Sequence, residues 1–303
     1  MQQKFQARAH LFTLGVVSAG SLLLAGLAVF AVWIGITGEP ATAMQTVHET
    51  PELKYALQLC NTLASVIIFG VPVAVLYKIQ YTRQVYQFTA VSGKQVFLVL
   101  LLVGLGLVLS ASLVPIMQAI PISKSYAAQF LAAEKNYATQ IWSMLNLQSV
   151  GGLLGSLIIV AAVPALLEEL FFRATLQNLL VQYTQKVWLS IFISSVVFSC
   201  IHFSYYGFLS RLALGGLLGA ICYYSNTVWL SVLAHFLNNA VAVLQLYFQN
   251  RATPLTVEHL WESFNDYLPG YYALPALAAI VAVVFLFRKE CLRWYTLQSS
   301  THE

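Results

Sequence analysis

A series of about eight apolar stretches, each of about 20 residues, constrains this chain more than any other feature. A helix of that length crosses about 30 Å of hydrocarbon, the thickness of a bilayer core. The stretches lie near residues 11–36, 56–77, 95–117, 150–178, 188–206, 208–225, 228–248 and 270–287. The sequence therefore predicts an all-α fold, a polytopic integral membrane bundle of about eight transmembrane helices.

The composition supports a membrane class and argues against several soluble ones. Hydrophobic residues make up 59% of the 303 residues and charged residues only 9%, whereas about a quarter of a soluble domain is charged. The net charge of +4 comes from basic residues scattered over many loops, so it does not indicate a nucleic-acid partner. The four cysteines have no short paired spacing, which argues against a disulfide framework or a zinc knot. We expect the lipid bilayer to surround the protein.

Lys and Arg near the span ends predict the orientation, because basic segments are retained on the cytoplasmic side. With the N-terminus inside, the predicted inner face carries Lys4, Arg8, Lys78, Arg83, Lys94, Lys186, Arg288, Lys289 and Arg293. The predicted outer loops carry the acids Glu39, Glu52, Glu258, Glu262 and Asp266. We therefore expect a multi-pass protein with both termini in the cytoplasm.

The same pattern divides the chain into three regions. Residues 1–149 hold three spans and an outer segment, 118–149, whose mixed apolar and charged residues predict an amphipathic helix along the membrane surface. Residues 150–250 hold spans four to seven. Residues 251–303 hold an outer loop, the last span and a cytoplasmic tail.

Three charged residues interrupt the apolar run of the fourth span: Glu168, Glu169 and Arg173. Each charge at a helix centre costs about 2.5 to 3.5 kcal/mol, so these side chains must lie near an interface or face a polar interior. Adjacent helical residues point about 100° apart, so the two glutamates cannot address the same point. Glu169 and Arg173 are four residues apart in the order that favours an ion pair. That pairing leaves Glu168 as the candidate general base.

Two of the six histidines lie in apolar spans, and each has a polar or aromatic neighbour one helical turn away. His202 follows Phe198 by four residues, and His235 precedes Asn239 by four residues, so each pair shares a helical face. Polar residues are costly inside spans and tend to line pathways or sites. The sequence therefore predicts that these side chains converge with the glutamates.

Three motifs carry a resemblance to a known family: E-E-x-x-x-R at Glu168, Glu169 and Arg173, F-x-x-x-H at Phe198 and His202, and H-x-x-x-N at His235 and Asn239. In this order on successive apolar segments they resemble the CPBP family. That family comprises the CAAX-type prenyl endopeptidases and the bacteriocin-processing or immunity proteins, also called Abi proteins. The resemblance covers roughly residues 150 to 250. It implies an intramembrane peptidase in the cytoplasmic membrane of a bacterium.

The resemblance also implies a role for each motif residue. Glu168 activates the water that attacks the scissile carbonyl, with His202 assisting. His235 and Asn239 polarise the carbonyl and stabilise the oxyanion, while Glu169, Arg173 and Phe198 support the site. The implied substrate is a membrane protein, or a membrane-associated, prenylated or precursor peptide.

The cofactor question stays open at this point. The chain has no H-E-x-x-H motif, the pattern that indicates zinc on one helix. Glu168, His202 and His235 could nevertheless ligate zinc with one open position. We assign no cofactor and keep zinc as the alternative.

Other interpretations compete with the catalytic one. The Glu169–Arg173 pair could be purely structural, Phe198 is best read as core packing, and Asn239 alone could join two helices. Gly215, Gly216 and Gly219 indicate close helix packing, and a proton-coupled transporter or a non-catalytic immunity or scaffold protein would also bury such charges. The absence of a detectable repeat argues against a transporter, and the complete motif set argues against lost chemistry.

Overall fold

The computed structural model describes residues 2–50, 53–79, 90–253, 255–256 and 267–300. Within these ranges the regular structure is helical, with no strand. The helices are α1 (Gln2–Thr37), α2 (Lys54–Lys78), α3 (Gly93–Gln118), α4 (Lys124–Met144), α5 (Val150–Thr184), α6 (Val187–Cys200), α7 (Phe208–Ser225), α8 (Trp229–Ala252) and α9 (Ala273–Ser300). The predicted all-α class is confirmed.

Among the described residues, seven helices are long and apolar enough to cross a membrane, namely all of these except α4 and α6. The polytopic helical bundle is therefore confirmed. Most helix bounds lie within a few residues of the predicted spans, but α1 begins at Gln2 and α9 ends at Ser300, well outside the predicted 11–36 and 270–287. The predicted fifth span, 188–206, corresponds to α6 and the turn after it. With 14 residues, α6 is about 21 Å long, which is less than the hydrocarbon thickness.

The segment predicted as an amphipathic outer helix contains α4. Its position on the outer surface stays a prediction, as does the division into three regions. Several residues used to predict orientation lie outside the described residues: Glu52, Arg83, Glu258, Glu262 and Asp266.

Two wider, π-helical turns precede prolines within the long helices. Val66–Gly70 comes just before Pro72 in α2, and Leu157–Ala162 comes just before Pro164 in α5. A proline inside a helix lacks an amide hydrogen and its ring clashes with the preceding turn, so the backbone must widen or bend there. A third π-helical turn, Leu170–Gln177, contains no proline and directly follows Glu169.

The chain forms two compact units, each built from three stretches of sequence. Unit 1 comprises Met1–Tyr81, Leu131–Phe171 and Phe236–Asp266. One of its cores surrounds Trp33 and Cys60, where α1 packs against α2. A second core surrounds Leu147 and Tyr247, where α8 packs against the end of α4 and the start of α5. The second core holds the N-terminal half of α5 in place within unit 1.

Unit 2 comprises Thr82–Phe130, Phe172–His235 and Tyr267–Glu303. Within it α6 and α7 are antiparallel, because the Trp188 ring lies 6.2 Å from Tyr224 at one end and the Ser199 hydroxyl donates to the Phe208 carbonyl at the other. The start of α3 is capped by Ser92, whose hydroxyl accepts from the Gln95 amide. The contacts between α6 and α7 fix the position of α6, which ends just before His202.

Candidate active site

The ring of Phe198 lies at the centre of a cluster of side chains in unit 2. It packs edge-to-face on Phe172 at 5.2 Å between ring centroids, and its centroid lies 5.0 Å from the His202 ring and 5.8 Å from the His235 ring. The Arg173 guanidinium carbon lies 4.7 Å from the same ring. Phe198 is only 1% exposed, so the cluster is inside the protein. The structure thus brings a buried cation and two imidazoles around one aromatic ring.

His202 lies in the turn after α6, and a hydrogen bond determines which of its nitrogens carries a proton. Its Nδ1 lies 2.8 Å from the carbonyl oxygen of Phe198. A carbonyl oxygen only accepts, so Nδ1 is the donor, and in the neutral ring Nε2 is left as an acceptor. The one-turn spacing of the F-x-x-x-H motif produces this bond. It orients the imidazole so that Nε2 can receive a hydrogen bond from water.

Arg173 lies in the π-helical turn of α5 and is 2% exposed. Its guanidinium donates to the carbonyl oxygen of Gly215 on α7 at 3.4 Å and also lies 5.7 Å from the Phe172 ring. A guanidinium is planar and weakly hydrated, so it tolerates such a place over aromatic rings better than an ammonium does. The structure therefore fixes a positive charge inside unit 2.

The two glutamates lie in unit 1, at the end of the α-helical segment Val163–Glu169. Glu169 is fully buried, whereas Glu168 is half-buried. This part of α5 packs against α2, because the Phe171 ring meets Phe69 at 5.5 Å. Of the two carboxylates, Glu168 belongs to the less buried residue. The predicted pair of Glu169 with Arg173 stays a prediction.

Asn239 lies one turn after His235 on α8 and belongs to unit 1. The side-chain nitrogen of Asn238 donates to the side-chain oxygen of Asn239 at 3.2 Å. With that oxygen engaged, the Asn239 amide offers its nitrogen as a hydrogen-bond donor. His235 is 4% exposed, so its imidazole is held inside unit 2. Both side chains are of the type that stabilises developing negative charge.

The predicted site residues are thus distributed over both units. Unit 2 brings together Arg173, Phe198, His202 and His235, and unit 1 contains Glu168, Glu169 and Asn239. The convergence of all seven stays a prediction. Among the described residues, no group of three His, Cys, Asp or Glu side chains is placed to hold a metal ion, so we derive no step through a metal.

The sequence interpretation missed one polar residue beside this cluster, Gln177. Its side-chain nitrogen donates to the carbonyl oxygen of Gly219 at 3.1 Å, and its side chain is 4% exposed. A signal was available, because Gln177 follows Arg173 by four residues, just as Gly219 follows Gly215. Matching spacings on two helices gain meaning only once the helices are known to pack together.

Comparison with known families supports the motif reading. Residues 150–241 match the family model described as type II CAAX prenyl endopeptidase Rce1-like. This match agrees with the resemblance of the three motifs to the CPBP family. The matched segment begins at the start of α5 and ends two residues after Asn239, so it contains all three motifs. No curated protein and no solved structure matches the chain.

The family match fixes the general class of activity. It indicates a CAAX-type peptidase, and the apolar helices indicate a multi-pass membrane protein. The chemistry therefore takes place in or at a bilayer on a peptide substrate.

Proposed function

We propose that this protein is an intramembrane endopeptidase that hydrolyses a membrane-associated peptide by means of a glutamate-activated water. The observation that carries the proposal is the match over residues 150–241, which contains every residue predicted to take part. The bond from His202 to the Phe198 carbonyl supports it, because it leaves Nε2 able to orient a water. The half-buried state of Glu168 supports its choice as the base over the fully buried Glu169.

The proposed reaction begins with a water held between Glu168 and His202. The water donates one hydrogen bond to the carboxylate and one to Nε2, so its lone pair is directed at the scissile carbonyl carbon. As Glu168 takes the proton, the carbon–oxygen bond forms and negative charge moves to the carbonyl oxygen. Glu168 then passes the proton to the leaving nitrogen as the carbon–nitrogen bond breaks.

His235 and Asn239 stabilise the oxyanion in this proposal. Each can donate an N–H group, and such donors strengthen their hydrogen bonds as charge develops in the transition state. Arg173 supplies a fixed positive charge and Phe198 holds the cluster in place. The substrate is a membrane protein or a prenylated or precursor peptide, cleaved in the cytoplasmic membrane.

The decisive experiment compares Glu168→Gln with the wild-type protein in reconstituted vesicles. We expect Glu168→Gln and His202→Ala each to lower turnover by about 10² to 10⁴, the usual effect of general acid–base groups. The double variant should be little worse than the worse single variant, because groups that act as one unit are not additive. Glu39→Gln is the matched control, since Glu39 is an exposed glutamate outside the motifs.

A proteomic comparison identifies the substrate. Membranes with the wild-type protein should contain new peptide termini that are absent from membranes with Glu168→Gln. If a folded, inserted Glu168→Gln protein retained its full biological effect, the catalytic proposal would be wrong and a scaffold role would replace it.

A further inference from the structure

Two hydrogen bonds join α5 to α7 with the same spacing on both helices. Arg173 donates to the Gly215 carbonyl at 3.4 Å, and Gln177 donates to the Gly219 carbonyl at 3.1 Å. Each donor lies four residues from the next, and so does each acceptor. We call these four residues the Arg–Gln ladder. Side chains that bond to backbone carbonyls in matching steps fix how far one helix can slide along the other.

Glycine is required at the acceptor positions, because the helices approach closely there. A methyl group on Gly219 would lie 2.6 Å from the Gln177 side-chain oxygen and 2.9 Å from a methyl carbon of Ile191. A methyl group on Gly215 would lie 2.9 Å from the side chain of Ser195. Small residues at such contacts let a side chain reach the neighbouring backbone.

The third glycine of this sequence behaves differently. A methyl group on Gly216 would meet no heavy atom within 4 Å. The sequence indicated these three glycines only as a packing motif, but their roles differ. The carbonyl oxygens of Gly215 and Gly219 accept the hydrogen bonds of the ladder, and Gly216 takes no part in it. This difference provides a matched control within the same helix.

We infer that Gln177 is a positioning residue, which holds α5 in the register that places Arg173 over the Phe198 ring. The Arg173–Gly215 bond is long at 3.4 Å, so by itself it is a weak restraint. The bond from Gln177 one turn later is shorter, and its donor is 4% exposed. Because the Gly219 carbonyl only accepts, the amide of Gln177 has one orientation in which it bonds.

This role rests on the proposed peptidase function, because it acts through the cluster around Phe198. Gln177 bonds to Gly219, whereas the ring of Phe198 is contacted by Arg173 and Phe172. Its loss should therefore disturb the geometry needed for turnover more than it disturbs substrate binding. Displacement of a supporting group by about 1 Å can cost up to about 10² in rate.

The test measures kcat and KM of Gln177→Met in vesicles, because methionine keeps the length of the side chain and removes the donor. We expect kcat to fall about tenfold while KM changes by less than about twofold. Gly219→Ala should have a similar effect, since its methyl group displaces the Gln177 amide. Gly216→Ala and Gln182→Met, the same substitutions outside the ladder, should leave both constants unchanged.

A double-mutant cycle separates positioning from simple folding. If Gln177 acts through Gly219, then Gln177→Met,Gly219→Ala should be no worse than the worse single variant in both kcat and thermal midpoint. Full kcat in folded Gln177→Met, or losses that multiply in the double variant, would overturn the ladder. Should Gly219→Ala fail to fold, Gln177→Asn is compared with Gln177→Met instead, because its shorter amide also falls short of the carbonyl. The two variants should then lose kcat equally, and full kcat in folded Gln177→Asn would overturn the ladder.

The cycle also distinguishes this inference from the proposed function. The effect of Glu168→Gln decides whether the protein is a glutamate peptidase. If the wild-type protein showed no peptidase activity, the non-additive thermal midpoints of the ladder variants would still support the register role, and additive midpoints would refute it.

Discussion

Phe198 shows what motif spacing can and cannot predict for a single residue. Its position four residues before His202 predicted a shared helical face, and the bond from His202 Nδ1 to the Phe198 carbonyl agrees with that. The sequence favoured simple core packing for this ring, whereas the structure places Arg173 and both imidazoles against it. Spacing fixes neighbours on one helix, but contacts between helices depend on how they pack.

Replacement of Arg173 by lysine tests whether the planar guanidinium matters beyond its charge. We expect Arg173→Lys to lower turnover about tenfold, or about 1.4 kcal/mol, because an ammonium cannot lie flat on the Phe198 ring while it bonds to Gly215. Phe198→Leu should lower turnover and thermal midpoint less in the Arg173→Lys background than in the wild-type protein. The measurements are turnover and thermal midpoint for the full cycle, with Arg293→Lys on the exposed face of α9 as control. Equal losses from Phe198→Leu in both backgrounds would show that the ring and the guanidinium are not coupled.

At the scale of helices, the third π-helical turn is the feature that the sequence did not indicate. The two other wide turns come just before Pro72 and Pro164, where a proline gives a visible signal. Leu170–Gln177 contains no proline, so nothing in its sequence distinguished it from a regular α-helix with 3.6 residues per turn. π-helical turns occur frequently at functional sites, and this one carries both donors of the Arg–Gln ladder. The predicted pairing of Glu169 with Arg173 assumed the i, i+4 spacing of an α-helix, whereas the backbone from Leu170 to Gln177 is wider.

The end of α6 provides a stability prediction. Phe203 has a φ of 50°, and its amide donates to the Cys200 carbonyl at 3.1 Å. This left-handed conformation at a helix end favours glycine, because a Cβ atom there costs roughly 1 to 2 kcal/mol. Phe203→Gly should therefore be more stable than Phe203→Ala by about 1 kcal/mol. Both variants lose the Phe203 ring, which is 88% exposed. The difference in their free energies of unfolding therefore reports only the cost of the backbone conformation.

The control for this comparison is an exposed position inside a regular helix. At Leu100 in α3, Gly should be less stable than Ala by about 1 kcal/mol, the reverse order. Chemical unfolding of the four variants in one detergent gives both differences. The same order at both positions would mean that the backbone conformation at Phe203 does not limit stability.

At the scale of the whole molecule, hydropathy predicted most span bounds to within a few residues. Spans are set by length and apolar content, which are properties of single segments, so α3 and α7 agree closely with prediction. Which side chains meet could not be predicted, because Arg173 and Gly215 are 42 residues apart in sequence. The ladder and the aromatic cluster both depend on such distant pairs.

Metal dependence is a second property of the whole molecule that can be measured directly. For the glutamate mechanism, we expect purified protein to keep its activity after treatment with a chelator and to contain no stoichiometric metal. For a zinc mechanism, the chelator should abolish activity, added zinc should restore it, and His235→Ala should lose bound metal along with turnover. Elemental analysis beside the activity assay separates the two. One activity-linked zinc per chain would replace the mechanism proposed here.

The orientation of the termini depends on whether α6 crosses the membrane. Two cytoplasmic termini require an even number of crossings, but only seven helices of the described chain are long enough alone. Within unit 2, α6 lies along α7 from Trp188 beside Tyr224 to Ser199 beside Phe208, and a turn follows at residues 201–203. We therefore expect α6 with this turn to complete an eighth crossing.

Cysteine labelling in a background without native cysteines tests this expectation. Single cysteines at Gln185, before α6, and at Tyr206, after it, should react from opposite sides of the membrane, with Gln185 cytoplasmic. Cysteines near Arg83 and at the C-terminus should also be cytoplasmic, and one near Glu262 should be outside. Exposed Glu39 serves as the outer reference. If Gln185 and Tyr206 react from the same side, α6 is re-entrant, the crossings are odd in number, and one terminus lies outside despite its basic residues.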